Sequence, residues 1–186
     1  MKDGGCGRVI LLNGASSSGK SGIARVLQRL LADPWFHFPV DTLGAMRSTD
    51  HSGVLDEDEV EAMLRRTRMG YHRAVAALAS VGNDVIMDYP LSESWRLDDL
   101  LDVLERYDVT LVHVHCSPDE LDRRERARGD RPAGLARSQN VFRHDDCDIA
   151  VDTTNGSPKA CALAIATELA GLDNDKAFDR LRRLRS

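Results

Sequence analysis

The sequence predicts an α/β fold, with a five-stranded parallel sheet covered by helices on both faces to give three layers. Short apolar runs alternate with helical stretches along the whole chain, the pattern of parallel strands joined by helical crossovers. The first apolar run, residues 8–13, leads straight into Gly14-Ala15-Ser16-Ser17-Ser18-Gly19-Lys20-Ser21, which has the spacing G-x-x-x-x-G-K-S. Behind that run, Ile23, Val26, Leu27, Leu30 and Leu31 recur at helical intervals. Strand, glycine-rich turn and helix in that order make a phosphate-binding loop.

The remaining elements follow from local pattern. The first helix is expected over residues 20–32, stopping before Asp33-Pro34. Residues 35–40 read as the second strand, ending at Asp41, and residues 44–53 as polar and irregular. A long helical stretch follows over 55–81, with room for one break near Gly70; its opening acids suit a helix start. Residues 84–88 form the third strand and 95–107 a helix with Leu97, Leu100, Leu101 and Leu104 on one side. Residues 109–115 form the fourth strand, whose alternation sets His113 and His115 on one face. Pro118 suits the first turn of a charged helix over 118–128. After a break at 129–134 come a fifth strand at 148–152, a core helix at 157–169 and a charged terminal segment at 172–186.

A chain of 186 residues is sized for one domain with its own core. A net charge of −5 argues against nucleic acid as the main partner. Cys6, Cys116, Cys147 and Cys161 are scattered without a C-x-x-C pair, which fits a reduced, cytoplasmic protein without structural zinc. No apolar run approaches the roughly 18–20 residues that span a bilayer, so no membrane is expected. Residues 1–7 lack the apolar segment of a signal peptide and read as a flexible leader.

Gly14 and Gly19 allow backbone angles that a side chain forbids, so successive loop N–H groups can converge on one anion. The following helix adds its N-terminal amides, from Lys20 through Gly22, and the positive end of its dipole. Lys20 is expected on the β- and γ-phosphates of ATP, and the Ser21 hydroxyl on Mg²⁺. In open α/β sheets, ligands bind beyond the C-terminal strand ends, which selects Asn13, Asp41, Asp88 and Asp152 with the following Thr153. Asp41 is the candidate general base for a hydroxyl acceptor; its competing reading is a helix N-cap. Asp88, after Val85-Ile86-Met87, has the setting of a Walker B acid that shares Mg²⁺ with Ser21; a cap or turn is the alternative.

The run from Arg123 to Arg131 sits just before the Gly/Pro break. Arg123 and Arg126 read as a solvated ion-paired face. Arg124, Arg128 and Arg131, spaced by four and three, share one face if the helix persists. They are expected on the phosphates, as part of a mobile lid over about 124–138 that excludes water. His113 and His115 read as polar groups of a strand flank rather than metal ligands. Trp35 and Trp95 read as core or groove wall. The acids from Asp56 to Glu59 lack the glycine and the spacing of a calcium loop.

These residues resemble the chloramphenicol phosphotransferase family of P-loop kinases. The resemblance is carried by Ile10-Leu11-Leu12-Asn13-Gly14 with Ser16 to Ile23, by Pro34-Trp35 with Phe38 and Val40-Asp41, by Ala127-Arg128-Gly129-Asp130-Arg131 with Ala133-Gly134, and by Val151-Asp152-Thr153-Thr154. It implies a three-layer P-loop kinase fold and ATP- and Mg²⁺-dependent phosphorylation of a small-molecule hydroxyl, in the family an antibiotic's, conferring resistance. It places the base on Asp41, the lid arginines on Arg124, Arg128 and Arg131, and the adenine-side loop near Thr153. At strand three the family pattern has two consecutive acids, whereas here Asp88 is followed by Tyr89-Pro90. Residues 43–73, within the acceptor region at about 42–73, do not carry the resemblance. A metabolic kinase for a nucleoside, sugar or shikimate-like acceptor is the second reading, and an RNA or toxin-type kinase the third. Homo-oligomerisation is left open.

Overall fold

In a computed structural model, which describes residues 5–48, 55–129 and 134–185, five strands form one parallel sheet. They are β1 (Val9–Asn13), β2 (Trp35–Pro39), β3 (Asp84–Asp88), β4 (Val109–His115) and β5 (Ile149–Asp152). Their order is β2-β3-β1-β4-β5. Val9 stands opposite Val85 on one side and Val109 on the other, so β1 is central. Every residue of β1 and β3 is buried, which is why both read as continuous apolar runs rather than alternating ones.

Among the described residues, eight helices surround the sheet: α1 (Lys20–Leu30), α2 (Val40–Ala45), α3 (Glu57–Ser80), α4 (Ser94–Val103), α5 (Pro118–Arg128), α6 (Leu135–Ser138), α7 (Pro158–Leu169) and α8 (Ala177–Arg185). The alternation of β1 divides the core between two faces. Val9 and Leu11 pack with Tyr71, Val75, Leu100 and Phe178 from α3, α4 and α8. Ile10 and Leu12 pack with Ile23, Leu27 and Ile165 from α1 and α7. This is the expected three-layer arrangement.

The helix starts are written in the sequence. Asp56 and Glu59 form a capping box before α3: Glu59 N–H donates to the Asp56 carboxylate (2.9 Å) and Asp56 N–H to the Glu59 carboxylate (3.0 Å). Ser157 caps α7 by accepting from Ala160 N–H at 3.1 Å, with Pro158 in the first turn. Gly129 ends α5 at φ 66°, a left-handed cap.

Several boundaries differ from expectation. β2 stops at Pro39, and Val40 and Asp41 open the short helix α2, where irregular chain was expected from residue 44 onward. α3 runs unbroken through Gly70, which faces open space and so needs no kink. The charged tail does pack: Ala177, Phe178 and Leu181 of α8 are buried against the sheet. Residues 1–4 of the expected leader and residues 130–133 of the expected break lie outside the described residues.

Candidate active site

The phosphate-binding loop leaves β1 at its C-terminal end and enters α1. At Gly14 a Cβ would lie 2.6 Å from the Val114 carbonyl, so the loop can pass β4 this closely only as glycine. Gly19 has φ 94° and Ser17 φ 62°, so the chain curls through two left-handed positions before α1 begins. The hydroxyls of Ser16, Ser17 and Ser18 are buried without a hydrogen-bond partner. Buried polar groups are ordinarily paired; three unpaired hydroxyls in one turn mark a place built for a polar ligand.

The first turn of α1 and the end of β3 meet here. Ser21 donates its hydroxyl to the Asp88 carboxylate at 2.5 Å. Lys20 Nζ donates to the carbonyls of Gly14 and Ala15, each at 2.8 Å, and lies 3.9 Å from Asp88. His37 Nε2 of β2 approaches the same carboxylate at 3.6 Å. Burial opposes ionisation of Asp88, but His37, Lys20 and Ser21 together outweigh it and hold the carboxyl below its ordinary value. Asp88 is therefore a buried carboxylate kept ionised beside the loop, not a cap or a turn residue.

A cleft of about 640 Å³ opens over this cluster, lined by loop residues together with Asp41, Asp88, Arg124, Arg128, Gln139 and Thr153. Asp41 is exposed on the cleft wall, in the first turn of α2 rather than at a strand end. The N-cap of that helix is Pro39, so Asp41 does not serve as a cap.

Arg124 bridges loop and sheet. It donates to the Glu120 carboxylate (2.7 Å), the Thr153 carbonyl (2.5 Å) and hydroxyl (3.2 Å), and the Ser17 carbonyl (3.4 Å). The Thr153 hydroxyl lies 2.8 Å from the Ser18 carbonyl and 3.0 Å from that of His115, so β5 is tied to the back of the loop. Arg128, in the last turn of α5, reaches the cleft. Arg131 lies outside the described residues. Arg123 pairs with Glu120 at 2.6 Å, as a solvated face should, yet it also borders the cleft.

Two further residues, Gln139 and Glu125, shape the site without a signal in the sequence. The Gln139 carboxamide accepts from Ser16 N–H at 2.7 Å. Glu125, buried inside the basic run, accepts from Gly134 N–H (2.7 Å) and Ala136 N–H (3.0 Å) and so anchors α6 to α5. Asn13 ties β1 to two loops, accepting from Leu91 N–H (2.9 Å) and donating to the Val141 carbonyl (2.6 Å); its place at a strand end is structural. His113 and His115 share one face with Phe142 and His144, and among the described residues no three His, Cys, Asp or Glu side chains gather as metal ligands.

Residues 7–170 match the family model described as chloramphenicol phosphotransferase-like protein. The chain belongs to this family. It is 31% identical over 199 residues to "Putative O-phosphotransferase Rv2636" of Mycobacterium tuberculosis (strain ATCC 25618 / H37Rv), which spans 95% of this chain and 88% of that one. Among solved structures it is similar to the Mycobacterium tuberculosis APS kinase CysC in complex with AMPPNP and APS (TM-score 0.68, 16% identity, 89% of this chain and 99% of that one). It is likewise similar to a gluconokinase from Sinorhizobium meliloti 1021 (TM-score 0.63, 18% identity, 90% and 94%). Shikimate kinase from Acinetobacter baumannii in complex with shikimate aligns at TM-score 0.63 and 13% identity over 89% and 94%. At these identities the likeness to the kinases is one of fold.

The family match runs through residues 43–73, the segment whose motifs carried no resemblance. There a second cavity of about 460 Å³ lies along α3. Its wall includes Val60, Leu64, Arg65, Arg68 and Glu93, with exposed Asp56, Glu57 and Glu61 at the rim. Among the described residues, no helix is long and apolar enough to cross a membrane, and the four cysteines are free thiols.

Proposed function

We propose that this protein is an ATP- and Mg²⁺-dependent O-phosphotransferase acting on the hydroxyl of a small molecule. One observation carries the reading: Lys20, Ser21, Asp88 and Asp41 border a single cleft at the C-terminal ends of β1 and β3. The glycine cradle at Gly14 and the unpaired serine hydroxyls suit a nucleotide's phosphates. Ser21 and Asp88 offer the hard oxygen donors that Mg²⁺ takes, and Mg²⁺ commonly binds through one or two carboxylates plus substrate phosphates. When bound there, it supplies charge neutralisation between the phosphates.

The chain's own residues would then divide the work. The loop amides from Ala15 to Gly22 hold the phosphates, and Lys20 turns its ammonium from the loop carbonyls to the transferring group. Asp41 orients the acceptor hydroxyl and takes its proton as the new O–P bond forms and the bond from the γ-phosphorus to the bridging oxygen breaks, releasing ADP. Arg124, Arg128 and Arg131 offset the charge spread over the phosphoryl oxygens. Thr153, with its hydroxyl engaged at Ser18 and His115, sets the nucleotide's far side.

For the acceptor we place an antibiotic first, so that phosphorylation would confer resistance. A metabolic hydroxyl compound is the second reading, favoured by the arginines on the acceptor side described below. Mass spectrometry of an antibiotic and metabolite panel incubated with the protein and ATP·Mg²⁺ tests this. The expected result is gain of one phosphate on one compound, with ADP formed in equal amount. ATP turnover that stays at the water-hydrolysis background with every compound, by a protein that binds AMPPNP, would count against phosphotransfer.

A further inference from the structure

The cavity along α3 has two unlike ends. At the rim, Asp56 is committed to the capping box, and Glu57 and Glu61 are exposed to water. At the inner end, Arg68 is half-buried and makes no hydrogen bond or ion pair among the described residues. Arg96 is buried behind it; its Nη1 donates to the Pro90 carbonyl at 2.8 Å and its Nη2 to the Glu93 carboxylate. The Arg96 guanidinium lies 5.5 Å from the Tyr89 ring and 5.9 Å from that of Trp95. Arg68 and Glu93 line the cavity together, and Arg68 feels the charges of Arg96 and Arg47 as well as those of Glu93 and Tyr89.

The local charges do not cancel. Glu93 is the carboxylate that Arg68 faces, and it already accepts from Trp95 Nε1 (2.6 Å) and from Arg96. Three donors in this group are buried without an acceptor: Arg47 Nη1, Arg96 Nε and the Tyr89 hydroxyl, the last on a residue with no exposed surface. Burial and the neighbouring Arg96 push the Arg68 guanidinium below its ordinary value. Among the described residues, Glu93 is the one close carboxylate for both Arg96 and Arg68, and withdrawing two cations from water against a single anion is costly and calls for another anion from elsewhere. Tyr89 packs on Tyr71 at 5.3 Å, and the Tyr71 hydroxyl feels both Asp88 and Asp41. The arginine group therefore adjoins the carboxylates of the cleft.

We propose that Arg68, backed by Arg47, Arg96 and Tyr89, binds an oxyanion on the acceptor, so that the phosphorylated compound is a hydroxy acid or a phosphate monoester bearing a free hydroxyl. The claim that this anion belongs to the acceptor rests on the phosphotransferase reading; the anion site itself does not. The planar guanidinium fork matches either group through two oxygens, which an amide or an amine cannot reproduce.

Nuclear magnetic resonance of the full chain, with arginine Nε–H and tryptophan indole signals assigned, tests it. Benzoate, phenyl phosphate, benzamide and benzylamine are titrated in turn. Benzoate or phenyl phosphate is expected to shift the Arg68, Arg96 and Trp95 signals saturably, about tenfold more tightly than benzamide. Arg68→Gln should abolish that margin and Arg68→Lys retain part of it. Tighter binding of benzoate assigns a carboxylate, and tighter binding of phenyl phosphate a phosphate. Equal binding of benzamide, a preference for benzylamine, or no saturable shift with either anion overturns the proposal. AMPPNP with Mg²⁺, added separately, should shift the amides of residues 14–21. Failure of that response alone would sink the phosphotransferase reading and leave the anion site standing.

Discussion

The donor and acceptor halves of the cleft are built on different terms. On the donor side nearly every charge is matched within the protein. Ser21, Lys20 and His37 surround Asp88, and Arg124 is held by Glu120, Thr153 and the loop. On the acceptor side, Arg68 makes no hydrogen bond or ion pair among the described residues, and the carboxylate it faces, Glu93, is already engaged by Trp95 and Arg96. A donor site with its charges paired and only the Ser16, Ser17 and Ser18 hydroxyls left open suits a ligand whose phosphates never change. An under-satisfied acceptor site leaves its last interactions to the substrate, and there specificity can vary while the fold stays fixed.

The contrast can be broken from either side. Apart from Asp41, the largest effect is expected at Asp88. Asp88→Asn keeps the volume and an acceptor for Ser21 but removes the charge, so transfer should fall by about 10²–10³-fold. Nucleotide affinity, measured by calorimetry with and without Mg²⁺, should lose its Mg²⁺ dependence. Unchanged Mg²⁺ dependence would move the metal away from Ser21 and Asp88.

Next in size is a pH effect from two buried histidines, one under each half. Burial lowers His72, beside Asp99 and Arg73, to about 4. Burial likewise lowers His113, near Phe142 and His144, to about 4. A histidine depressed in the folded state favours the neutral ring, so the unfolded chain binds the extra proton first. Stability is then full above about 6.5 and is lost as pH falls towards about 4, by about 3 kcal/mol per ring. Urea unfolding across that window should show the loss. His72→Phe and His113→Phe should each flatten part of the slope, and a slope unchanged in both variants would assign it to other groups.

The smallest effect is local to the acceptor side. Asp56→Ala removes half of the capping box at the start of α3 and should cost about 1 kcal/mol of stability in thermal unfolding. Donor-side nucleotide affinity should not move. A loss of AMPPNP affinity in this variant would show that the two halves are coupled.

The donor half was legible in the sequence because its parts are local. A strand, a loop with fixed glycines and a helix fall within residues 9–30, and the rule that ligands sit beyond strand ends reaches Asp88 and Asp41 with no contact information. The basic run was legible only in part. Arg124 is distinguished from Arg123 by Thr153 and Ser17, which stand 29 and 107 positions away in the chain. Glu125 looked like one more surface acid, yet it is buried at 5% exposure and holds α6. Gln139 has no local pattern at all; its partner is an amide 123 residues away. The tail could not be placed because its apolar residues are few, and only the sheet face over β4, beside α4, gives Phe178 and Leu181 a site. The arginine group of the acceptor half draws on three separate segments, and no spacing announces it.

The account turns on Asp41 as the carboxylate that meets the acceptor hydroxyl. The most direct measurement compares Asp41→Asn with the unaltered protein, following phosphate transfer to the acceptor found by mass spectrometry together with AMPPNP affinity. Transfer is predicted to fall by about 10²–10⁴-fold while nucleotide affinity stays within about twofold. Transfer near the unaltered rate would contradict the assignment and move the base elsewhere in the cleft.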